Sequence, residues 1–146
     1  MKKMISINFI IGIALAIFFF TTVNPPSEQT QTDDETQTIK NITIEEAQIL
    51  IQKNKNNPNL IILDVRTSDE YMGEHIEDAI NIDFHSDTFK EDLNKLDKEK
   101  IYIVHCQSGG RSTKALNIMK ELGFKEAYNM GGLVQWKEQG LPTTTK

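Results

Sequence analysis

The chain has 146 residues, 38% of them hydrophobic, and a formal net charge of −5, which suit one globular domain of ordinary size. It has no basic stripe interleaved with aromatic residues, so nucleic acid is not expected as a partner. One cysteine cannot form an internal disulfide, and the three histidines lack the spacing of metal ligands. We therefore expect neither a metal nor another cofactor.

The N-terminal residues predict export. Lys2 and Lys3 precede an apolar run over residues 9–20, the arrangement of a secretory signal. Residues 4–23 are also long enough to cross a bilayer as an uncleaved anchor, with the lysines on the cytoplasmic side. Residues 1–23 are thus a signal peptide or a membrane anchor. Either would place the rest of the chain outside the cytoplasm, periplasmic, secreted or held at the membrane.

A polar and acidic segment follows over residues 24–38. It is rich in Pro, Gln, Thr and carboxylates and has no apolar residue to bury, so we expect a disordered linker. A folded domain is predicted over residues 39–146.

Helical and strand patterns alternate in that domain. Thr43 and Glu46 have the spacing of a capping box and predict a first helix, and Ser68 is predicted to cap a short helix over residues 69–72. Apolar spacing predicts further helices around Phe89, Ala115 and Trp136. Strands are predicted over residues 60–63, 79–82, 101–104 and 127–130.

This alternation predicts an α/β fold, with a mainly parallel sheet of about five strands and helices on both faces. In such folds the site lies beyond the carboxyl ends of the strands. Cys106, Asp64 and Arg66 all follow predicted strands, so they are expected at one edge of the sheet.

Cys106 opens a glycine-rich loop between a strand and a helix, where anions are commonly held. Converging backbone N–H groups and a nearby guanidinium would favour the nucleophilic thiolate. A lone cysteine is otherwise often a small buried hydrophobe. The candidate loop comprises Gln107, Ser108, Gly109, Gly110, Arg111 and Ser112.

Over residues 42–142 the chain resembles a single-domain rhodanese. Four segments carry the resemblance, in order and at the expected distances. They are residues 63–71, His75-Ile76 with residues 79–82, the loop at residues 104–112, and Gly131-Gly132 with Trp136.

Three positions of one connecting turn differ from the family pattern. The family often has Gly directly before the His-Ile pair, where this chain has Glu74. The Pro-Gly that commonly follows the pair is Glu77-Asp78 here.

The resemblance implies a sulfurtransferase. The Cys106 thiolate would attack the outer sulfur of a donor such as thiosulfate or a persulfide, and the sulfur would then pass to cyanide or a thiol acceptor. Gly109 and Gly110 would let the loop curl around that sulfur, and Arg111 would stabilise the anion or receive the donor's sulfonate. Ser112 would either donate to the loop or cap the following helix.

Two other groups near the loop allow more than one interpretation. Asp64 and Arg66 would either brace the loop and line its rim or form a structural ion pair. His105 is interpreted as structural rather than as a base, because neighbouring residues on a strand point to opposite faces.

Two alternatives to sulfur transfer stay open. Cysteine phosphatases and arsenate reductases have a similar signature, with five residues between Cys and Arg. Here four residues separate Cys106 from Arg111, which favours a cradle for a single sulfur. The second alternative is a module that carries sulfur or binds a partner without turnover.

Overall fold

The computed structural model describes residues 37–145. Within them the sheet has five strands in the order β1-β5-β4-β2-β3, and every strand pair is parallel. The predicted α/β fold is therefore confirmed. The strands are β1 (Thr38–Asn41), β2 (Leu60–Asp64), β3 (Ile80–Asn81), β4 (Ile101–Cys106) and β5 (Glu126–Gly132). The helices are α1 (Ile44–Lys53), α2 (Ser68–Gly73), α3 (Phe89–Asn94), α4 (Gly110–Glu121) and α5 (Leu133–Glu138).

Strand β4 lies between β2 and β5, and its side chains alternate between two apolar clusters. Tyr102 and Val104 belong to the cluster that includes side chains of α3 and α4. Ile103 belongs to the other cluster, with side chains of α1, α2 and α5, including the buried Trp136. Helices therefore cover both faces of the sheet, as predicted.

Strand β1 is an edge strand that apolar patterning did not reveal. Three of its four residues are exposed, so neither alternation nor an apolar run marks it. Backbone hydrogen bonds hold it, including Thr38 N to Lys125 O at 2.7 Å, just before the ladder with β5. Thr38, assigned from sequence to the linker, is the first residue of the sheet.

The first turn of α2 differs from the prediction that Ser68 caps it. Thr67 is the N-cap, and its hydroxyl accepts a hydrogen bond from Glu70 N at 3.3 Å. The Glu70 carboxylate accepts in return from Thr67 N at 3.0 Å. This reciprocal capping box needs Glu three residues after the cap, a spacing that Thr67 has and Ser68 lacks. The capping box predicted for α1, from Thr43 to Glu46, is confirmed.

Strands β4 and β5 both run farther than predicted. The apolar run ends at Val104, but β4 continues through the buried His105 and Cys106. Similarly, β5 continues through Gly132, and Cys106 pairs with that glycine after a shift of register. The cysteine therefore lies in the last position of the central strand.

The turn after α2 contains the differences from the family pattern. Asp78 has a φ of +62°, in the left-handed region that favours glycine. The glycine that the family commonly has at this position would suit this conformation, which the present chain adopts with an aspartate. Glu74 is the extended C-cap of α2, and its side chain contacts Lys137 and Thr143.

The signal peptide or membrane anchor predicted over residues 1–23 lies outside the described residues. Residues 24–36 of the predicted linker lie outside them as well. Between residues 37 and 145, no helix has the length and apolar character needed to cross a membrane.

Candidate active site

Cys106 lies at the junction of β4 and α4, with its side chain almost fully buried. Gly109 N donates a hydrogen bond to Sγ at 3.1 Å. Burial raises the pKa of the thiol, but hydrogen bonds from the Ser112 hydroxyl and from the N–H groups of Ser112, Ser108 and Gly109 outweigh it. The pKa of Cys106 is therefore below its usual value, and the loop favours the nucleophilic thiolate.

Gly109 makes the sharp turn from the strand to the helix. It is the N-cap of α4 and has a φ of +103°, which favours glycine. Gly110 is already the first residue of the helix and has no such conformation. Of the two glycines expected to let the loop curl, only Gly109 uses a glycine-specific backbone, because only there is φ positive.

The end of β5 packs against the backbone of the loop. A Cβ on Gly132 would lie 2.3 Å from the Gln107 carbonyl oxygen, which leaves no room for a side chain. Val134 N, in the first turn of α5, donates to the same carbonyl at 3.2 Å. The backbone of β5 and α5 therefore sets the position of the loop's first peptide.

Ser112 lies in the first turn of α4, and its hydroxyl contacts the loop backbone rather than capping the helix. α4 has no side-chain cap hydrogen bond, and the buried Ser112 hydroxyl instead lies 3.0 Å from Gly109 O and 3.1 Å from Gly131 O. It also lies 3.5 Å from Cys106 Sγ. One hydroxyl proton thus has three acceptors, and a charged thiolate attracts it more strongly than a neutral thiol.

Arg111 forms a bidentate ion pair with Glu70 of α2. Its two terminal nitrogens lie 2.6 Å and 2.8 Å from the two carboxylate oxygens. The hydrogen bond to Arg111 is the main reason why the pKa of Glu70 falls to about 2. Glu70 is likewise the main cause that raises the pKa of Arg111, and the Cys106 thiolate adds to it. The positive charge of the guanidinium is therefore already paired with the negative charge of Glu70.

Asp64 and Arg66 are an ion pair that also braces the loop. Arg66 Nη2 lies 2.7 Å from Asp64 Oδ2, with side chains 3% and 0% exposed. Arg66 Nη1 donates to Gln107 Oε1 at 3.3 Å, and Nη2 also donates to the Glu74 carbonyl. The sequence left a structural and a loop-bracing role open, and the geometry combines the two.

His105 lies fully buried behind the cysteine. Its Nδ1 is 3.3 Å from the Cys106 carbonyl oxygen, and its Nε2 is 3.7 Å from Asp64 Oδ2. Burial lowers the pKa of His105 and outweighs the opposing effect of Asp64. The imidazole is therefore neutral at pH 7, with its nitrogens toward these oxygens rather than toward Sγ. Nowhere in residues 37–145 do three or more His, Cys, Asp or Glu side chains form a group that could hold a metal ion.

Sequence reasoning missed two residues that shape this site. Glu70 was part of the family signature, but its partner 41 positions away was not recognisable. Its three-residue spacing from Thr67 was the available signal. No sequence pattern pointed to Asn129. Its Nδ2 donates to Thr113 Oγ1 at 3.1 Å, and its Oδ1 accepts from Gly131 N at 3.0 Å.

A buried cysteine with a lowered thiol pKa, at the end of the central strand and followed by this loop, matches one family. The family model described as "Rhodanese-like domain" covers residues 46–139, more than half of the chain. The chain belongs to the rhodanese-like domain family. Sulfur-transfer chemistry is characteristic of this family, and its fold is the one seen here.

Two solved structures from microorganisms are similar to this chain. A rhodanese-related protein from Thermoplasma volcanium has a TM-score of 0.61 and 27% identity, covering 73% of this chain and 99% of that one. A protein from Bacillus halodurans has a TM-score of 0.61 and 26% identity, covering 73% of this chain and 77% of that one.

Curated relatives of greater identity are much longer proteins. A tRNA uridine(34) hydroxylase of Yersinia pestis is 38% identical over 96 residues, which is 58% of this chain and 26% of the hydroxylase. The chain therefore spans about a quarter of the length of these relatives.

Proposed function

We propose that this protein is a sulfurtransferase that moves a sulfane sulfur from a donor to cyanide or a thiol acceptor through a persulfide on Cys106. The observation that carries the proposal is the cradle around Sγ, in which Gly109 N lies 3.1 Å from the sulfur. Hydrogen bonds to the sulfur lower the pKa of the thiol despite its burial, so no separate base is required.

The reaction has two displacement steps. With thiosulfate, the Cys106 thiolate attacks the outer sulfur, a new S–S bond forms, and the bond to the sulfonate sulfur breaks as sulfite leaves with the electron pair. The loop N–H groups then stabilise the terminal sulfur of the persulfide. A nucleophilic acceptor attacks that sulfur and regenerates the thiolate. Because the chain has one cysteine, the acceptor is a separate molecule.

Intact mass spectrometry tests this cycle. The protein incubated with thiosulfate should gain one sulfur atom, and subsequent cyanide should remove it and release thiocyanate. Cys106→Ser should gain none. Failure to load, together with hydrolysis of an aryl phosphate, would overturn the proposal in favour of a cysteine phosphatase.

A non-turnover sulfur carrier is the second candidate. It is favoured by the burial of Cys106, at 1% exposure, which restricts the approach of large acceptors. Loading by the donor without turnover in the presence of cyanide and small thiols would identify this carrier role.

The tRNA hydroxylation named for the curated relatives is not part of the proposal. The match covers 26% of their length, and this chain has a net charge of −5. A polyanionic substrate such as tRNA is bound mainly through cationic surfaces.

We also propose that the domain acts outside the cytoplasm, secreted or tethered by residues 4–23. The two lysines followed by an apolar run support this placement. Fractionation of cells and sequencing of the mature N-terminus test it, since retention in the cytoplasm would contradict export.

A further inference from the structure

The candidate loop contains one cationic side chain, and that side chain is already neutralised. Both terminal nitrogens of Arg111 bond to Glu70, at 2.6 Å and 2.8 Å. With its pKa at about 2, Glu70 is ionised throughout the neutral range. Gln107 and Ser108 carry no charge. A donor that enters the loop therefore contacts backbone N–H dipoles and the Arg111–Glu70 ion pair rather than an unpaired positive charge.

Two other cations, Arg66 and Lys137, are also paired. Arg66 is buried against Asp64, with side chains 3% and 0% exposed. Lys137, on α5, lies 2.6 Å from Glu74. Lys114 lies one turn farther along α4 and is exposed to solvent, where its field is screened. Within the described residues, no unpaired guanidinium faces the cysteine.

This pairing matters because candidate donors differ in charge. Thiosulfate carries two negative charges, and its sulfonate is best held by a bidentate cation. A small organic persulfide carries at most one. Attraction between a unit charge and a dianion at contact distance is worth about a tenfold change in rate even in water. Neutralising Arg111 therefore removes about twice as much attraction energy for thiosulfate as for a singly charged persulfide.

We propose that Glu70 is a specificity-determining residue, and that the site takes sulfur from small organic persulfides of low charge in preference to thiosulfate. This inference rests on the proposed sulfurtransferase function. In the persulfide reaction the Cys106 thiolate attacks the terminal sulfur of RSSH. The new Sγ–S bond forms as the S–S bond of the donor breaks, the thiolate RS⁻ leaves with the electron pair, and the proton stays on the transferred sulfur.

Glu70→Gln is the informative variant. The amide oxygen of Gln can still accept from Thr67 N, so the capping box of α2 is retained while the negative charge is removed. Rates of Cys106 loading are measured by mass spectrometry with thiosulfate and with 2-hydroxyethyl persulfide. Wild type should load faster with the persulfide. The variant should load about tenfold faster than wild type with thiosulfate and only about threefold faster with the persulfide.

Glu121→Gln is the matched control. It removes the same charge from the far end of α4, where Glu121 forms an exposed pair with Lys90 at 3.8 Å. Its two loading rates should equal those of wild type. Arg111→Gln provides the opposite test, because it leaves the Glu70 carboxylate uncompensated. The ratio of the thiosulfate rate to the persulfide rate should then fall below the wild-type ratio.

Ionic strength gives a further test, applied to wild type and to Glu70→Gln. Wild-type loading by thiosulfate should be nearly independent of salt, whereas loading of Glu70→Gln should slow as salt rises. An unchanged donor ratio in Glu70→Gln, or a steep loss of wild-type thiosulfate loading with salt, would overturn the inference. Selective loss of thiosulfate loading in Lys114→Gln would also overturn it. Failure of both donors to load wild type would instead contradict the proposed function.

Discussion

Gly132 lies against the Gln107 peptide so closely that a Cβ on Gly132 would come within 2.3 Å of the Gln107 carbonyl oxygen. The last residue of β5 therefore determines where the first peptide of the loop can lie. This backbone contact holds the N–H groups of the loop around Sγ.

Gly132→Ala should displace the loop. We expect a loss of about 3 kcal/mol in the free energy of unfolding, because backbone atoms cannot yield as a flexible side chain would. Sulfur loading at Cys106 should fall even under conditions where the protein stays folded. Denaturant unfolding and mass spectrometry measure the two effects. Gly73→Ala is the control, since its Cβ would meet open space. Equal behaviour of the two variants would contradict the contact.

Ser112 should control the ionisation of the thiol. The pH dependence of Cys106 alkylation by iodoacetamide should show a pKa below the usual thiol value of 9.0. Ser112→Ala should move this profile to higher pH, because the Ser112 hydroxyl no longer donates to the thiolate. It should also cost about 1 kcal/mol of stability, since buried carbonyls lose a partner.

Thr113→Val is the matched control for Ser112. The Thr113 hydroxyl donates to Gly109 O at 2.8 Å, a carbonyl that Ser112 also contacts, but it has no contact with Sγ. It should lower stability without moving the alkylation profile. A shift of the profile in both variants would assign the effect to loop distortion rather than to the hydroxyl.

The Glu70–Arg111 pair should stabilise the fold at neutral pH and lose its effect in acid. The hydrogen bond from Arg111 is the main reason why the pKa of Glu70 is lowered from 4.5 to about 2. Because the folded pKa is the lower one, the stabilisation is complete above the unfolded pKa and disappears as pH falls toward 2.

Comparison of wild type with Glu70→Gln isolates this effect, since Gln does not titrate. Solvent screens this partly exposed pair, so wild type should be more stable by only about 1 kcal/mol at neutral pH. That difference should shrink as pH falls from 4.5 to about 2. Urea unfolding over this range measures it. A difference that stays constant down to the lowest pH would contradict the pairing.

Asp78 should be a site of stored strain. Its φ of +62° is unfavourable for a residue with a side chain, and Asp78→Gly should raise the free energy of unfolding by about 0.5 kcal/mol. The gain is small because glycine also increases the entropy of the unfolded chain. Glu77→Gly adds the same entropy without relieving a positive φ, so it should destabilise. Thermal unfolding of both variants distinguishes these outcomes.

The sequence by itself determined the α/β alternation, the central strands and the loop that begins at Cys106. These features depend on local periodicity and short spacing, which a buried strand or a capped helix imposes on neighbouring residues. Strand β1 escaped detection because an exposed edge strand of four residues needs only backbone hydrogen bonds to β5.

The tertiary structure decided what surrounds the sulfur. Glu70 and Arg111 are 41 positions apart, and they meet because α2 follows β2 while α4 follows the adjacent β4. The contact of Gly132 with Gln107 likewise requires β5 beside β4. Such pairings depend on strand order, which no local pattern encodes. The sequence therefore predicted the nucleophile, whereas the fold determined that the arginine beside it is neutralised.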